Sequence, residues 1–246
     1  DSRLLLVDRP PGTHRFRPGK RKAGNTLMFT LCLPTGRVLE EAIEVLEELD
    51  IPTGKLRDRG RALVIQDEGF RFLLAKPMDV PVYVHYGIAD LALAGSDVIW
   101  ESGASLVELR DTGRGVCRIV LAGPKKVAAL FLGHESQLMG LRIATKYPRI
   151  AEEYFAERGI QVELVHLNGS IEMAPRLGLS DCIVDIVQTG STLRANSLSV
   201  IAEIAPVSLR FVSSRKGLQL AWDVIEEIIG KFSPSKKAGD INEESL

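Results

Sequence analysis

The stretch DCIVDIVQTGSTL, residues 181–193, joins a short apolar run to a small, hydroxyl-rich turn. Four to eight apolar residues bounded by turn formers read as a buried strand, and the Thr189, Gly190, Ser191, Thr192 turn sits where a helix would begin. The strand carries an acid, Asp185, with Asp181 near its start; a charge inside an apolar strand needs a reason. Backbone N–H groups and hydroxyls at such a junction converge on anions, so residues 189–192 are a candidate phosphate cradle. The same strand-turn-helix junction also occurs without a ligand.

Working outward, the pattern repeats. Residues 27–33 form a second apolar run, closed by Pro34, Thr35, Gly36 and Arg37. Val38, Leu39, Ala42, Ile43, Leu46 and Leu49 then recur at helical spacing, with glutamates on the other face. Further strands are predicted at 62–66, 70–75, 91–94, 117–122, 142–144, 162–166, 182–187 and 209–213. Helices are predicted at 79–86, 148–158, 192–204 and 218–232. This alternation argues an α/β fold. Arg37 closes the first strand where open α/β sheets place ligands, and its guanidinium is a fork for phosphate, although an exposed Arg in a first helical turn is equally ordinary. Glu172, in the Gly169 to Pro175 cluster, is either a functional acid or a helix-dipole partner.

Composition bounds the rest. The 246 residues are enough for one or two domains, and 45% hydrophobic with 26% charged residues is ordinary for a globular protein. A formal charge of −1 provides no broad field for nucleic acid. Residues 1–25 read as a flexible basic arm and residues 233–246 as a disordered tail. Cys32, Cys117 and Cys182 are scattered, which fits a reducing cytoplasm and assigns them no chemistry; His14, His85, His134 and His166 form no metal pattern. No run is long enough to span a membrane.

Taken together, LPTGRVLEEA (33–42), DVPVYVHYGIADLALAGSDVIWE (79–101), CRIVLAGP (117–124), RIATKYPRIAEEYF (142–155) and NGSIEMAPRLGLSDCIVDIVQTGSTLRANSL (168–198) resemble the catalytic subunit of ATP phosphoribosyltransferases. The resemblance implies a two-lobed, periplasmic-binding-protein-like fold with the site in the cleft. Residues 26–115 plus 200–232 would form one lobe and residues 116–199 the other. With about a dozen residues after the last helix, the chain is similar to the family's short form, which implies a homodimer and a hetero-octamer with a regulatory subunit related to histidyl-tRNA synthetase.

The implied reaction displaces pyrophosphate from 5-phosphoribosyl 1-diphosphate by ring nitrogen 1 of ATP, with Mg2+, opening histidine biosynthesis. Residues 189–192 would then hold the 5-phosphate. Asp185, with Asp181 or Glu172, would meet ribose hydroxyls or a metal indirectly, and no metal would be held by protein alone. Arg37 and Arg61, with Asp97 and Glu101 as lesser candidates, would contact ATP or pyrophosphate. Four positions depart from the family's usual residues: Thr35 and Ser96 for Lys, Lys76 for Arg and His85 for Glu. A non-catalytic small-anion-binding module of the same fold is the rival reading.

Overall fold

The computed structural model describes residues 28–131 and 139–232; the expected basic arm at 1–25 and tail at 233–246 lie outside the described residues. The first apolar run becomes β1 (Phe29–Pro34), buried at every position, as a parallel strand covered on both faces must be. α1 (Leu39–Glu48) follows and buries Leu39, Ala42, Ile43, Val45 and Leu46. The chain continues through α2 (Gly54–Arg57), β2 (Val64–Asp67), β3 (Phe70–Ala75), α3 (Val80–His85), β4 (Leu91–Gly95), α4 (Ser96–Ser102) and β5 (Val107–Asp111). It then builds β6 (Cys117–Gly123), α5 (Lys125–Phe131), β7 (Arg142–Thr145), α6 (Pro148–Ala156), β8 (Glu163–His166), β9 (Cys182–Val187), α7 (Ser191–Ala195) and β10 (Ser199–Val207). β11 (Leu209–Ser213) and α8 (Arg215–Lys231) complete the described chain.

Two sheets result, ordered β2-β3-β1-β4-β11-β5 and β10-β6-β9-β7-β8. Alternate residues of each central strand feed opposite faces. In β1, Leu31 and Leu33 join the core that α1 covers, while Cys32 joins the core under α3 and α4. In the second sheet, Ile119 and Leu121 pack toward α6, and Val120 and Ala122 toward α7.

Two readings of the sequence change. The helix expected over 192–204 ends at Ala195, and Ser199–Val207 is a strand. Asn196 caps the short helix and Ser197 turns left-handed at φ 59°. The β-branched Val200, Ile201 and Ile204 then pair with β6 from Ser199 opposite Gly123 to Val207 opposite Cys117, with two irregularities in register. Helical spacing of the apolar residues is overridden by the free edge of β6, which only the folded sheet presents. The lobe boundary moves in consequence. The chain regains the first sheet at Leu209 and not near residue 200, so the second lobe is 117–207.

The two crossing segments, 112–116 and Ser208, are tied to one another. Thr112 donates from its N–H and its hydroxyl to the Leu209 carbonyl at 3.0 and 2.7 Å, and Leu209 N–H donates to the Arg114 carbonyl at 2.8 Å. Glu41 of α1 accepts from Gly115 N–H, and Glu48 accepts from the Arg114 guanidinium. The helix that follows Arg37 therefore also anchors the hinge.

Candidate active site

The C-terminal ends of the parallel strands in both sheets meet between the lobes, the place where open α/β sheets bind ligands. A cavity of about 340 Å³ is walled by Arg37 from the β1 turn, Glu172 from the segment after β8, and Asp185 with residues 186–193 from β9 and its turn. A second, more apolar cavity of about 170 Å³ is lined by Pro34, Val38, Pro77, Val98 and Leu209, with Thr35 and Asp97 at its wall. Arg37, Cys117 and Ile186 line both, so the two are neighbours across those residues.

The turn after β9 is built for close approach. Gly190 takes φ 72°, a conformation costly for any residue with a Cβ. Thr189 and Ser191 hydroxyls lie 3.1 Å apart, and the Arg194 guanidinium donates to the Thr189 carbonyl at 3.1 Å. α7 has only five residues. The donors offered to an anion are therefore the N–H groups of its first turn and these hydroxyls, with little macrodipole behind them.

Asp185 lies one pleat before that turn, its side chain 21% exposed and 3.7 Å from Lys146 Nζ. Burial pushes its carboxyl above the usual range; Lys146 and the Ile186 N–H, donated at 2.8 Å, work against that shift, and Glu172 adds to it. Lys146 follows β7 and its ammonium lies 4.9 Å from the centre of the Tyr147 ring. It was not among the residues expected in the site, although RIATKYP contains it; the sequence shows only a lysine directly after a strand, and the pairing of β7 with β9 is what sets it against Asp185. Arg194, in the helix that follows the loop, was missed likewise. Arg37 donates to the Gln188 side chain, joining the lobes at the mouth of the cradle.

Four expected residues fall elsewhere or do other work. Asp181 stands at the opposite end of β9, roughly 13 Å along the strand from Asp185 at about 3.3 Å per residue. There it accepts from Arg142 N–H at 2.9 Å and pairs with the Arg142 guanidinium at 3.6 Å, so it closes a strand end. Arg61 is exposed in the turn before β2, an edge strand two places from β1, and lines neither cavity. Asp97 does reach the apolar cavity, but its carboxylate accepts from Tyr147 Oη at 2.7 Å. Glu101 accepts from the Arg149 and Ile150 N–H groups, each at 3.1 Å.

The four departures are also placed. Thr35 N–H donates to the Ala75 carbonyl at 2.7 Å beside the apolar cavity. Lys76 and His85 are exposed. Ser96 is fully buried and exchanges hydrogen bonds with Ser208, N–H to carbonyl at 2.9 Å and N–H to hydroxyl at 3.3 Å. A short side chain fits that crossing point.

Of the cysteines, Cys32 and Cys182 are buried, and burial pushes both thiols up to about 12. Among the described residues no group of three or more His, Cys, Asp or Glu side chains is arranged to hold a metal ion. No helix of the described residues is long and apolar enough to cross a membrane.

Residues 76–233 match the family model HisG, ATP phosphoribosyltransferase. The chain belongs to that family. A relative from a Thermoanaerobacter species named ATP phosphoribosyltransferase is 44% identical over 206 residues, spanning 83% of this chain and 94% of the relative. One from Geobacillus kaustophilus with the same name is 41% identical over 208 residues, spanning 84% and 97%. Among solved structures, the ATP phosphoribosyl transferase (HisG:HisZ) complex from Thermotoga maritima aligns with TM-score 0.71 at 30% identity, covering 83% of this chain and 96% of that one. The alkanesulfonate-binding protein SsuA from Xanthomonas axonopodis, at TM-score 0.53 and 16% identity, shares the two-lobed fold. The chain is thus an ATP phosphoribosyltransferase by family, and the first enzyme of histidine biosynthesis.

Proposed function

We propose that the polar cavity takes 5-phosphoribosyl 1-diphosphate and the apolar cavity the base of ATP, so that ring nitrogen 1 meets the anomeric carbon between them. The observation that carries this reading is the convergence of Arg37, Glu172, Asp185 and residues 189–192 on one cavity, with an apolar cavity sharing its Arg37 wall. Residues 189–192 hold the 5-phosphate. Asp185, with Glu172, accepts from the ribose hydroxyls, and Arg37 faces the diphosphate with a fork of donors.

In the displacement, the lone pair of nitrogen 1 forms the new C–N bond as the C–O bond to diphosphate breaks, and pyrophosphate leaves with that electron pair. Positive charge builds on the ribose while negative charge builds on the leaving group. Asp185 stands on the side of the first and Arg37 on the side of the second. Lys146 holds Asp185 ionised in a buried place, which burial alone would oppose. The attacking nitrogen carries a free lone pair, so positioning and charge stabilisation supply the catalysis and no strong general base is required. Asp185 and Glu172 are the acids able to face a Mg2+ ion that enters with the diphosphate. When bound, Mg2+ would neutralise charge on the leaving pyrophosphate.

Arg37→Ala is expected to lower kcat/KM about 10²- to 10³-fold, the scale of losing one group that stabilises transition-state charge. Arg37→Lys should recover only part of that, because an ammonium lacks the planar fork. Steady-state kinetics against the donor check both, and wild-type kcat/KM in Arg37→Ala would remove this residue from the site.

We further propose a regulatory partner like that of the Thermotoga complex, a homodimer of this chain and a cytoplasmic setting. The test of the whole reading is to mix purified chain with Mg2+, ATP and 5-phosphoribosyl 1-diphosphate, with inorganic pyrophosphatase present. Phosphoribosyl-ATP is followed by its ultraviolet absorbance, with and without a histidyl-tRNA-synthetase-like subunit. Product is expected. Its absence from both mixtures, with donor still bound, would leave an anion-binding module.

A further inference from the structure

α4 belongs to the first lobe, yet one side of it is spent on the second. Asp97, 7% exposed, accepts from Tyr147 Oη at 2.7 Å, and Tyr147 is itself 1% exposed. One turn on, Glu101 accepts from the Arg149 and Ile150 N–H groups. These belong to the first turn of α6, where N–H groups lack intrahelical acceptors and where Tyr147, the residue before the helix, provides no side-chain cap. The cap of a second-lobe helix therefore comes from the first lobe. Residues four apart share a helix face, so Asp97 and Glu101 act on the same side of α4. Trp100 packs against the second lobe's core. Gly95 leaves room for the Asp97 carboxylate, with which a Cβ there would collide, and Gly103, at φ 59°, ends α4 in a left-handed turn beside Arg149.

The gripped segment is continuous with the site. Thr145 Oγ1 donates to the Val184 carbonyl at 2.7 Å and accepts from Tyr147 N–H at 2.8 Å, which fixes the turn of residues 145–147 on β9. Within that turn Lys146 lies over the Tyr147 ring and reaches Asp185. We propose that α4 is a latch that holds the lobes closed through Tyr147 and the start of α6, and that Tyr147 is a positioning residue which sets Lys146 against Asp185 in the closed cleft. The inference rests on the reading of Asp185 and Arg37 as parts of one site. Closure then does two things together: it brings Arg37 up to residues 188–192 and registers the Lys146–Asp185 pair. The donor's ribose and 5-phosphate are held by residues of the second lobe, with Arg37 alone reaching it from the first, so its binding depends little on the latch; reaction with ATP across the cleft needs it.

The test uses Tyr147→Phe, which deletes one oxygen and keeps the ring under Lys146. With two tryptophans in the chain, Trp222→Phe on α8 leaves Trp100 in the seam as the sole indole. In that background, Tyr147→Phe and Glu101→Ala are each expected to shift Trp100 emission to the red and raise its quenching by acrylamide. In kinetics, Tyr147→Phe should lower kcat about 10- to 100-fold, the scale of a misplacement near 1 Å, while donor affinity by calorimetry stays within about threefold. Asp97→Asn keeps an oxygen for the Tyr147 hydroxyl and should retain more turnover than Asp97→Ala. Unchanged Trp100 emission in both Tyr147→Phe and Glu101→Ala overturns the latch whether or not the enzyme turns over. So does a turnover loss in Tyr147→Phe matched by an equal loss of donor affinity. Absence of product from the wild type, with the emission shifts present, counts against the assigned reaction and leaves the latch standing.

Discussion

Asp185→Asn is expected to lower kcat by about 10²- to 10³-fold without lowering the melting temperature at neutral pH. The rate loss follows from removing a fixed negative charge beside the carbon that becomes positive, a loss on the scale of one preorganised electrostatic group. The stability half follows from linkage. Burial raises the Asp185 carboxyl above its ordinary value, so its contribution to stability is full below the unfolded-state value, falls as pH rises through the folded one, and stays low at neutral pH. An amide of the same shape removes that liability, at the cost of Lys146's counter-ion. The melting temperature should therefore hold or rise near pH 7, and the advantage of the variant should shrink in mild acid. Thermal melts across that pH range, read beside steady-state kcat, check both parts. A variant that melts far earlier would make Asp185 a structural acid, and wild-type turnover would take it out of the chemistry.

Gly190→Val is expected to weaken binding of 5-phosphoribosyl 1-diphosphate about 100-fold or more, with ATP affinity much less affected. A β-branched residue at φ 72° carries a backbone penalty of about 1–2 kcal/mol. A charge-assisted hydrogen bond lost from a displaced N–H adds about 1.5–3 kcal/mol. Each 1.4 kcal/mol is a factor of about ten in affinity. Space alone is not the obstacle: an added Cβ meets the Arg194 guanidinium at 3.3 Å and Val187 at 3.8 Å, and the guanidinium end of a long side chain can move. Gly190→Ala should therefore fall between the wild type and Gly190→Val, showing the backbone term with little bulk. Calorimetry with the donor orders the three, and equal affinity in all of them would reject the cradle.

Much of the candidate site was legible in residues 181–193. An apolar run with one acid, a hydroxyl-rich turn and a glycine are local features, and the strand, positive-φ turn and helix start that they favour are the ones that form. Arg37 was legible for the same reason, as the residue that closes β1. Asp181 shows where such reading fails. It directly precedes β9, four residues from Asp185, so a period of two carried back from the strand puts them on the same face. Only the end of the sheet at which the cleft opens tells them apart. Lys146 was hidden differently: a lone lysine after a short strand has no local reason to be special until β7 pairs with β9 and brings it to Asp185.

The sequence by itself determined the alternating α/β elements, the phosphate-type turn and, through its ordered motifs, the family. Those rest on periodicity and turn chemistry within a few residues of each other. The tertiary structure alone decided that Ser199–Val207 is a strand, because the free edge of β6 that captures it is formed by residues about 80 positions earlier. It decided too that Arg37 meets Gln188, 151 residues away, and that Asp97 and Glu101 grip the second lobe. Strand order and register, which local preferences do not encode, choose which charged groups face one another across a cleft.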